Sequence, residues 1–134
     1  MAKSILVINR IGTLRKMTVQ LLNELGYSDV VEAPGVKDGL ALMRKPSAKG
    51  MLVILELSVL GVSSEDLNFL ESIKEENRAK VVVTSPNENS QIATQVLDRG
   101  ATAFIARSFD LDVFSAKLRE SLDHAGGDFP GASG

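Results

Sequence analysis

The sequence predicts an α/β domain in which helices cover both faces of a five-stranded parallel sheet. Short runs of β-branched and aliphatic residues alternate along the chain with amphipathic stretches of helical spacing. This alternation is typical of parallel sheets, because each connection between parallel strands needs a crossover, usually a helix. The length of 134 residues suits one such domain and is too short for two.

In the first half of the chain, two short strands alternate with two helices. Ile5–Ile8 is an apolar run, which indicates a strand that is buried on both faces. In Leu14–Leu25, apolar residues recur at helical spacing, and Gly26 follows as a stop signal. Val30–Val31 predicts a short second strand, and Val36–Met43 predicts a short second helix.

The second half continues the alternation after a loop predicted at Pro46–Gly50. Asp110 is placed to cap the last helix. Three strands are predicted at the apolar runs Leu52–Leu55, Val81–Val83 and Ala103–Ala106. Of the three predicted helices, the first carries Leu67, Leu70 and Ile73, and the second is lined by Ile92, Ala93, Val96 and Leu97. The last is predicted to bury Leu111, Phe114, Leu118 and Leu122.

Five strands and five helices in this sequence favour right-handed crossovers and the flavodoxin-like strand order 2-1-3-4-5. Ligands of such doubly wound sheets bind at the carboxyl ends of the strands. The candidate site residues are therefore those that follow strands one, three, four and five: Asn9, Arg10, Glu56, Thr84, Ser85, Arg107 and Ser108.

Composition narrows the classes of function. The net charge of −2 argues against a basic nucleic-acid-binding surface, and the absence of cysteine excludes disulfides and thiolate chemistry. The first apolar run is too short for a signal peptide or a membrane span, so we expect a cytoplasmic protein without a membrane or nucleic-acid partner. We expect a domain over residues 1–125, followed at 126–134 by a flexible tail or the start of a linker.

Three stretches carry a resemblance to a known family: ILVINRIGTLRKMTVQLLNELGY, LVILEL and GATAFIARSFDLDVF. In their order and spacing they resemble the receiver domains of bacterial response regulators, the CheY-like family, over about Ser4–Leu122. The resemblance implies a bacterial signalling domain that binds protein partners. It also implies an output domain after residue 134, if the coding sequence continues there.

The resemblance further implies a phosphorylation pocket, and this chain departs from it at most positions. The family's magnesium-binding acidic pair falls on Asn9 and Arg10, and its phosphoacceptor aspartate falls on Glu56. The hydroxyl that contacts the phosphoryl group falls on Ser85, and the lysine falls on Arg107. A cis-proline usually follows that lysine. Here the position is Ser108, so a trans bond or a rearranged loop is expected.

These replacements predict that the phosphorylation chemistry is lost. Magnesium prefers anionic oxygen ligands, whereas Asn9 offers an amide and Arg10 a cation, so we expect no magnesium, no other cofactor and no enzymatic activity. Glu56 holds its carboxylate one methylene further out than aspartate, and in-line attack depends on placement within about 1 Å. We expect one or both of Arg10 and Arg107 to pair with Glu56 in place of the metal.

The predicted function is therefore a phosphorylation-independent interaction module, a pseudo-receiver. One alternative is a receiver that is still switched by atypical phosphorylation, which the retained Glu56, Ser85 and Arg107 support. Another is an anion- or nucleotide-binding module that holds a phosphate between Arg10 and Arg107. A further possibility is that Glu56 imitates a phosphorylated aspartate and locks the active state.

A partner face is also implied by the resemblance, on the fourth helix, fifth strand and fifth helix. Many receiver domains dock partners or form homodimers there. The candidate residues in this chain are Gln91, Gln95, Phe104 and Lys117. Phe104 falls where the family carries an aromatic switch residue.

Overall fold

The chain folds into a parallel sheet with helices on both faces, in a computed structural model that describes residues 4–48, 50–76, 79–107 and 110–124. The strand order is 2-1-3-4-5, as the alternation of elements predicts. The strands are β1 (Ile5–Ile8), β2 (Val30–Ala33), β3 (Leu52–Glu56), β4 (Lys80–Ser85) and β5 (Ala103–Ala106). The helices of the described residues are α1 (Gly12–Glu24), α2 (Val36–Met43), α3 (Ser64–Glu76), α4 (Ser90–Asp98) and α5 (Leu111–His124).

The register of the sheet aligns the carboxyl ends of its strands. Ile8 at the end of β1 lies between Ala33 of β2 and Leu55 of β3. Further across, Glu56 of β3 pairs with Thr84 of β4. Residues that end or follow each strand therefore meet at one edge of the sheet, here called the carboxyl edge.

Two apolar cores hold the helices against the sheet. Successive strand residues point to opposite faces, so each central strand contributes to both cores. On one face, α1 and α5 cover strand residues of one parity: Ile5, Val7, Leu52, Ile54, Val82 and Ile105. On the other face, α2, α3 and α4 cover the alternate residues: Leu6, Ile8, Val53, Leu55, Val81 and Val83. Burial on both faces explains why these strands are continuous apolar runs.

The termini of the helices follow the signals in the sequence. Gly26 has a φ of 104°, and the backbone N–H of Tyr27 donates to the carbonyl of Leu22, which closes α1 as expected of a glycine stop. Asp110 caps α5 as predicted, because its Oδ1 accepts from the backbone N–H of Asp112 at 3.0 Å.

Three details differ from the sequence-based expectations. Pro46–Ala48 forms a turn of 3₁₀ helix inside the predicted loop. Leu97 is exposed on α4. Leu111 is 47% exposed because it starts α5 and lies at the surface beside α1, so its predicted burial is wrong.

No helix among the described residues is long and apolar enough to cross a membrane. The predicted tail at 126–134 lies outside the described residues.

The different burial of two leucines on α5 gives a test of the packing. Leu118 is completely buried against the sheet, whereas Leu111 is half exposed. Leu118→Ala is expected to lower the free energy of unfolding by about 2–5 kcal/mol, because it removes core contacts and leaves a cavity. The same substitution at Leu111 is expected to cost less than about 1 kcal/mol. Urea unfolding followed by circular dichroism measures both, and equal losses would contradict this orientation of α5.

Candidate functional site at the carboxyl edge

The structure places all five predicted pocket residues at the carboxyl edge but does not join them into one network. Glu56 ends β3 and Ser85 ends β4, whereas Arg107 follows β5 directly. Asn9 and Arg10 follow β1. Glu56 and Arg107 contact each other, whereas Ser85, Asn9 and Arg10 are not part of this contact.

Both carboxylate oxygens of Glu56 are engaged by neighbouring side chains. Oε2 lies 2.7 Å from Nη1 of Arg107, and Oε1 accepts a hydrogen bond from the Thr84 hydroxyl at 2.5 Å. The side chains of Arg107 and Glu56 are only 16% and 8% exposed. This is a nearly buried ion pair that also spans β3, β4 and the end of β5.

Strand register explains why Thr84, and not Ser85, binds Glu56. Thr84 is the direct partner of Glu56 in the parallel ladder, so their side chains lie on the same face of the sheet. Ser85 points to the opposite face, where its buried Oγ accepts from the backbone N–H of Asn87 at 3.1 Å. The hydroxyl contact therefore falls one residue before the position that the sequence pattern indicates.

Arg107 is held in place by its backbone as well as by its charge. Its N–H donates to the carbonyl of Ser85 at 2.7 Å, which continues the β4–β5 ladder past the last strand residue. The side chain therefore leaves the sheet beside the end of β4 and reaches across it to Glu56. The predicted pair between Arg107 and Glu56 is present. Ser108, where the family's cis-proline falls, lies outside the described residues.

Burial is the dominant influence on the acidity of Glu56. Removal from water raises the pKa of its carboxyl group, whereas the Thr84 hydrogen bond and the positive charge of Arg107 lower it. The balance leaves the pKa of Glu56 above its usual value. The hydrogen bond from Thr84 and the charge of Arg107 therefore compensate the effect of burial on this pKa only in part.

Asn9 serves the backbone of the loop between β1 and α1. It is buried, its Oδ1 accepts from the N–H of Ile11 at 2.9 Å, and its carbonyl accepts from Nη1 of Arg15 at 2.8 Å. Arg15 also pairs with Glu32 of β2 at 3.0 Å. The sequence pattern does not point to Arg15, because Glu32 is brought to it only by the β1–β2 pairing.

Arg10 is exposed and forms no ion pair within the described part of the chain. It lines two small clefts on the carboxyl edge, one of about 130 Å³ toward α2 and one of about 90 Å³ toward Arg107. Of the two arginines expected to reach Glu56, only Arg107 does so. Arg10 instead puts a positive charge at the surface, with no ion-pair partner among the described residues.

The residues at the strand ends do not fit a magnesium ion. Among the described residues that end or directly follow a strand, Glu56 is the one carboxylate, and both of its oxygens already have partners. Glu65 and Asp66 of α3 also line the cleft toward α2, and Oδ2 of Asp66 accepts from the backbone N–H of Ser63 at 3.0 Å. Arg10 adds a positive charge to the clefts on either side, where magnesium would need anionic oxygens. Within the described ranges, no group of three or more acidic or histidine side chains is placed to hold a metal.

The predicted partner face is assembled on α4, β5 and α5. Gln91 and Gln95 are exposed on α4, and Lys117 is exposed on α5. Phe104 is half-buried on β5 and packs against the core beneath α4. The structure thus leaves these side chains accessible, and their role in binding stays a prediction.

Comparison with solved structures finds the same fold in a receiver domain and in response regulators. No protein-family model matches the chain. The receiver domain of NtrX from Brucella abortus is 25% identical, with a TM-score of 0.72 over 90% of this chain and 98% of that domain. A larger NtrX chain gives a TM-score of 0.76, and the present chain spans only 28% of its length.

Two further solved structures show the same fold at lower identity. A response regulator from Thermotoga maritima is 20% identical, with a TM-score of 0.75 over 92% of this chain and 99% of that one. HP1043, an orphan response regulator of H. pylori, is 23% identical, with a TM-score of 0.71 over 90% and 96%. These neighbours are a receiver domain and response regulators, and the likeness shows that this chain has their fold.

The two arginines of the carboxyl edge are expected to differ sharply in their effect on stability. Arg107→Ala leaves the buried carboxylate of Glu56 without its cation, and we expect a loss of about 3 kcal/mol in the free energy of unfolding. Arg10→Ala is the matched control, because that side chain is exposed and unpaired, and its effect should stay within about 0.5 kcal/mol. Urea unfolding at neutral pH measures both. A comparable loss for Arg10→Ala would mean that it also neutralises Glu56.

Glu56 is also expected to give stability a distinctive dependence on pH. Since its pKa is raised in the folded state, its contribution is complete below the usual value of about 4.3 and is lost as the pH rises through the raised pKa. The stability of the wild type should therefore fall, relative to that of Glu56→Gln, as the pH rises from about 4. Urea unfolding over a series of pH values measures this difference.

Glu32 provides a control of opposite sign. Hydrogen bonds from Lys16 and Arg15 hold the pKa of Glu32 below its usual value, so its contribution is present above that value and is lost as the pH falls. Relative to Glu32→Gln, the wild type should therefore gain stability as the pH rises. Parallel pH profiles for the wild type and Glu56→Gln would show that burial does not raise the pKa of Glu56.

Proposed function

We propose that this domain is a phosphorylation-independent signalling module, a pseudo-receiver that acts by binding a protein partner. The observation that carries the proposal is the closed contact among Glu56, Thr84 and Arg107. It occupies the place where the receiver resemblance implies a free aspartate beside a metal ion. In the proposal, the domain binds no magnesium, has no enzymatic activity and works in the bacterial cytoplasm.

The engagement of Glu56 argues against acceptance of a phosphoryl group. An attacking carboxylate oxygen must be free and aligned with the phosphorus, and small displacements from that geometry slow the reaction strongly. Here one oxygen is bound by a cation and the other by a hydroxyl. To attack, Glu56 must break a nearly buried contact and leave Arg107 unpaired.

The charges of the carboxyl edge also argue against transfer of a phosphoryl group to Glu56. Phosphoryl transfer depends on metal ions and positioned cations to neutralise charge on the phosphoryl oxygens. Arg107 is committed to Glu56, and Asn9 is committed to the backbone of its loop. Because Arg107 is already paired, the arrangement also gives little support to an anion held between the two arginines.

In the proposal, the ion pair fixes the arrangement of the strand ends. It thereby takes the place of the metal-bound pocket that the receiver resemblance implies. Glu56, Thr84 and Arg107 join the carboxyl ends of β3, β4 and β5 through side chains alone. In the proposal, this holds the domain in one state that its partner recognises. A protein partner, an output domain or a second copy of the chain would then bind the surface of the domain in that state.

Amide NMR spectra recorded during addition of magnesium, and then of beryllofluoride with magnesium, test the proposed function. We expect no saturable shifts at Glu56, Ser85 or Arg107, because the pocket offers neither a metal site nor a free acceptor. A variant with Asn9→Asp, Arg10→Asp, Glu56→Asp and Arg107→Lys is the positive control, and we expect it to gain a magnesium response. Saturable shifts in the wild type that spread to Phe104 would overturn the proposal.

A further inference from the structure

We propose that the partner of this domain docks on the carboxyl edge itself and presents apolar side chains together with a carboxylate. The surface consists of Arg10, Ile11, Val59 and Leu60, and is here called the edge patch. This inference rests on the proposed function, since it names where the module binds and what chemistry it recognises. It differs from the predicted face on α4, β5 and α5.

The edge patch concentrates exposed apolar side chains above the closed pocket. Ile11 is 48% exposed, Val59 67% and Leu60 95%, and they make up half of the large apolar residues exposed in the described ranges. Arg10, Ile11, Val59 and Pro86 line the same cleft of about 90 Å³, and Leu60 follows Val59 at the outer end of its loop. Contiguous exposed apolar groups mark interaction sites more often than scattered ones do.

The loop that carries Leu60 is fixed by hydrogen bonds and does not need to be ordered by a partner. The backbone N–H of Gly61 donates to the carbonyl of Ser58, and the N–H of Leu60 donates to the Ser58 hydroxyl at 3.1 Å. The amide group of Asn87 donates to the carbonyl of Val59 at 3.0 Å. Gly61 permits this turn with a φ of 107°. An apolar side chain presented on an ordered turn loses little conformational entropy on binding.

The charge of Arg10 indicates the polar component of the partner. Arg10 lines the same cleft as Ile11 and Val59 and forms no ion pair in the described part of the chain. The carboxylate nearest in the cleft, that of Glu56, is already neutralised by Arg107. A carboxylate supplied by a partner would complement Arg10, whereas a lysine or arginine there would be repelled.

The charged residues that line the cleft also favour docking of a largely apolar partner on the edge patch. Glu56 and Arg107, which are paired with each other, line the same cleft as Ile11 and Val59. Covering them therefore leaves no new unpaired charge, which is the usual penalty for burying a polar surface. The ion pair thus makes the site suitable for a largely apolar contact.

A library of short random peptides displayed on phage, selected on the wild-type chain, tests this inference. We expect the enriched peptides to combine apolar residues with aspartate or glutamate. Their affinities, measured by fluorescence anisotropy, should fall about tenfold for Leu60→Asp, which loses one apolar contact. They should fall about fivefold for Arg10→Glu and stay nearly unchanged for Arg10→Lys. Leu97→Asp, on exposed α4, is the matched control and should bind like the wild type.

Several outcomes would overturn the edge patch as the docking site. These are an absence of enriched peptides, enrichment of basic peptides, or binding that Leu97→Asp weakens and Leu60→Asp does not. A wild-type dimer that Leu60→Asp dissociates in sedimentation experiments would assign the patch to a second copy of the chain. None of these results depends on magnesium. The magnesium and beryllofluoride titration therefore shows separately whether the proposed function has failed.

Discussion

The ion pair between Glu56 and Arg107 is the interaction on which the carboxyl edge depends. A carboxylate that is 8% exposed must have partners, because an isolated buried charge is very costly. Buried pairs are poor sources of net stability, since desolvation offsets most of their attraction. Their consequence is geometric: once Glu56 is buried, Arg107 and Thr84 are confined to the positions that satisfy it. The pair therefore fixes the ends of three strands relative to one another.

A second arginine plays a comparable part on the other side of the edge. Arg15 of α1 pairs with Glu32 of β2 and also donates to the carbonyl of Asn9, so it ties the loop after β1 to the neighbouring strand. Each of the two glutamates lies on a strand, and each arginine comes from a different element: Arg15 from α1, and Arg107 from the end of β5 across β4. Contacts that hold the strand ends and their loops are thus supplied by side chains of the chain itself.

The sequence was sufficient for the fold but not for the contacts of the site. The strands are apolar runs buried on both faces, and the alternation with helices leaves few possible topologies, so the strand order followed. The hydroxyl that binds Glu56 could not be predicted, because Thr84 and Ser85 are adjacent and only the register of β3 against β4 decides between them. The same holds for Arg15, whose partners come from two other segments. Leu111 was misplaced because helical spacing does not show where the first turn of a helix leaves the core.

In the proposed function, the closed pocket requires the domain to signal differently from a phosphorylation switch. A ligand shifts a conformational equilibrium only by its differential affinity for two states, and the proposed pocket offers neither phosphoryl group nor metal a place to act. The signal must then depend on whether the partner is present and able to bind. The selectivity for that partner must come from the residues on the surface of the domain. The apolar loops over the neutralised pair, with Arg10 unpaired beside them, are a surface on which such selectivity can be built. In the proposal, the closed pocket and the exposed apolar side chains act together: Glu56 is kept from reacting, and the surface beside it binds the partner.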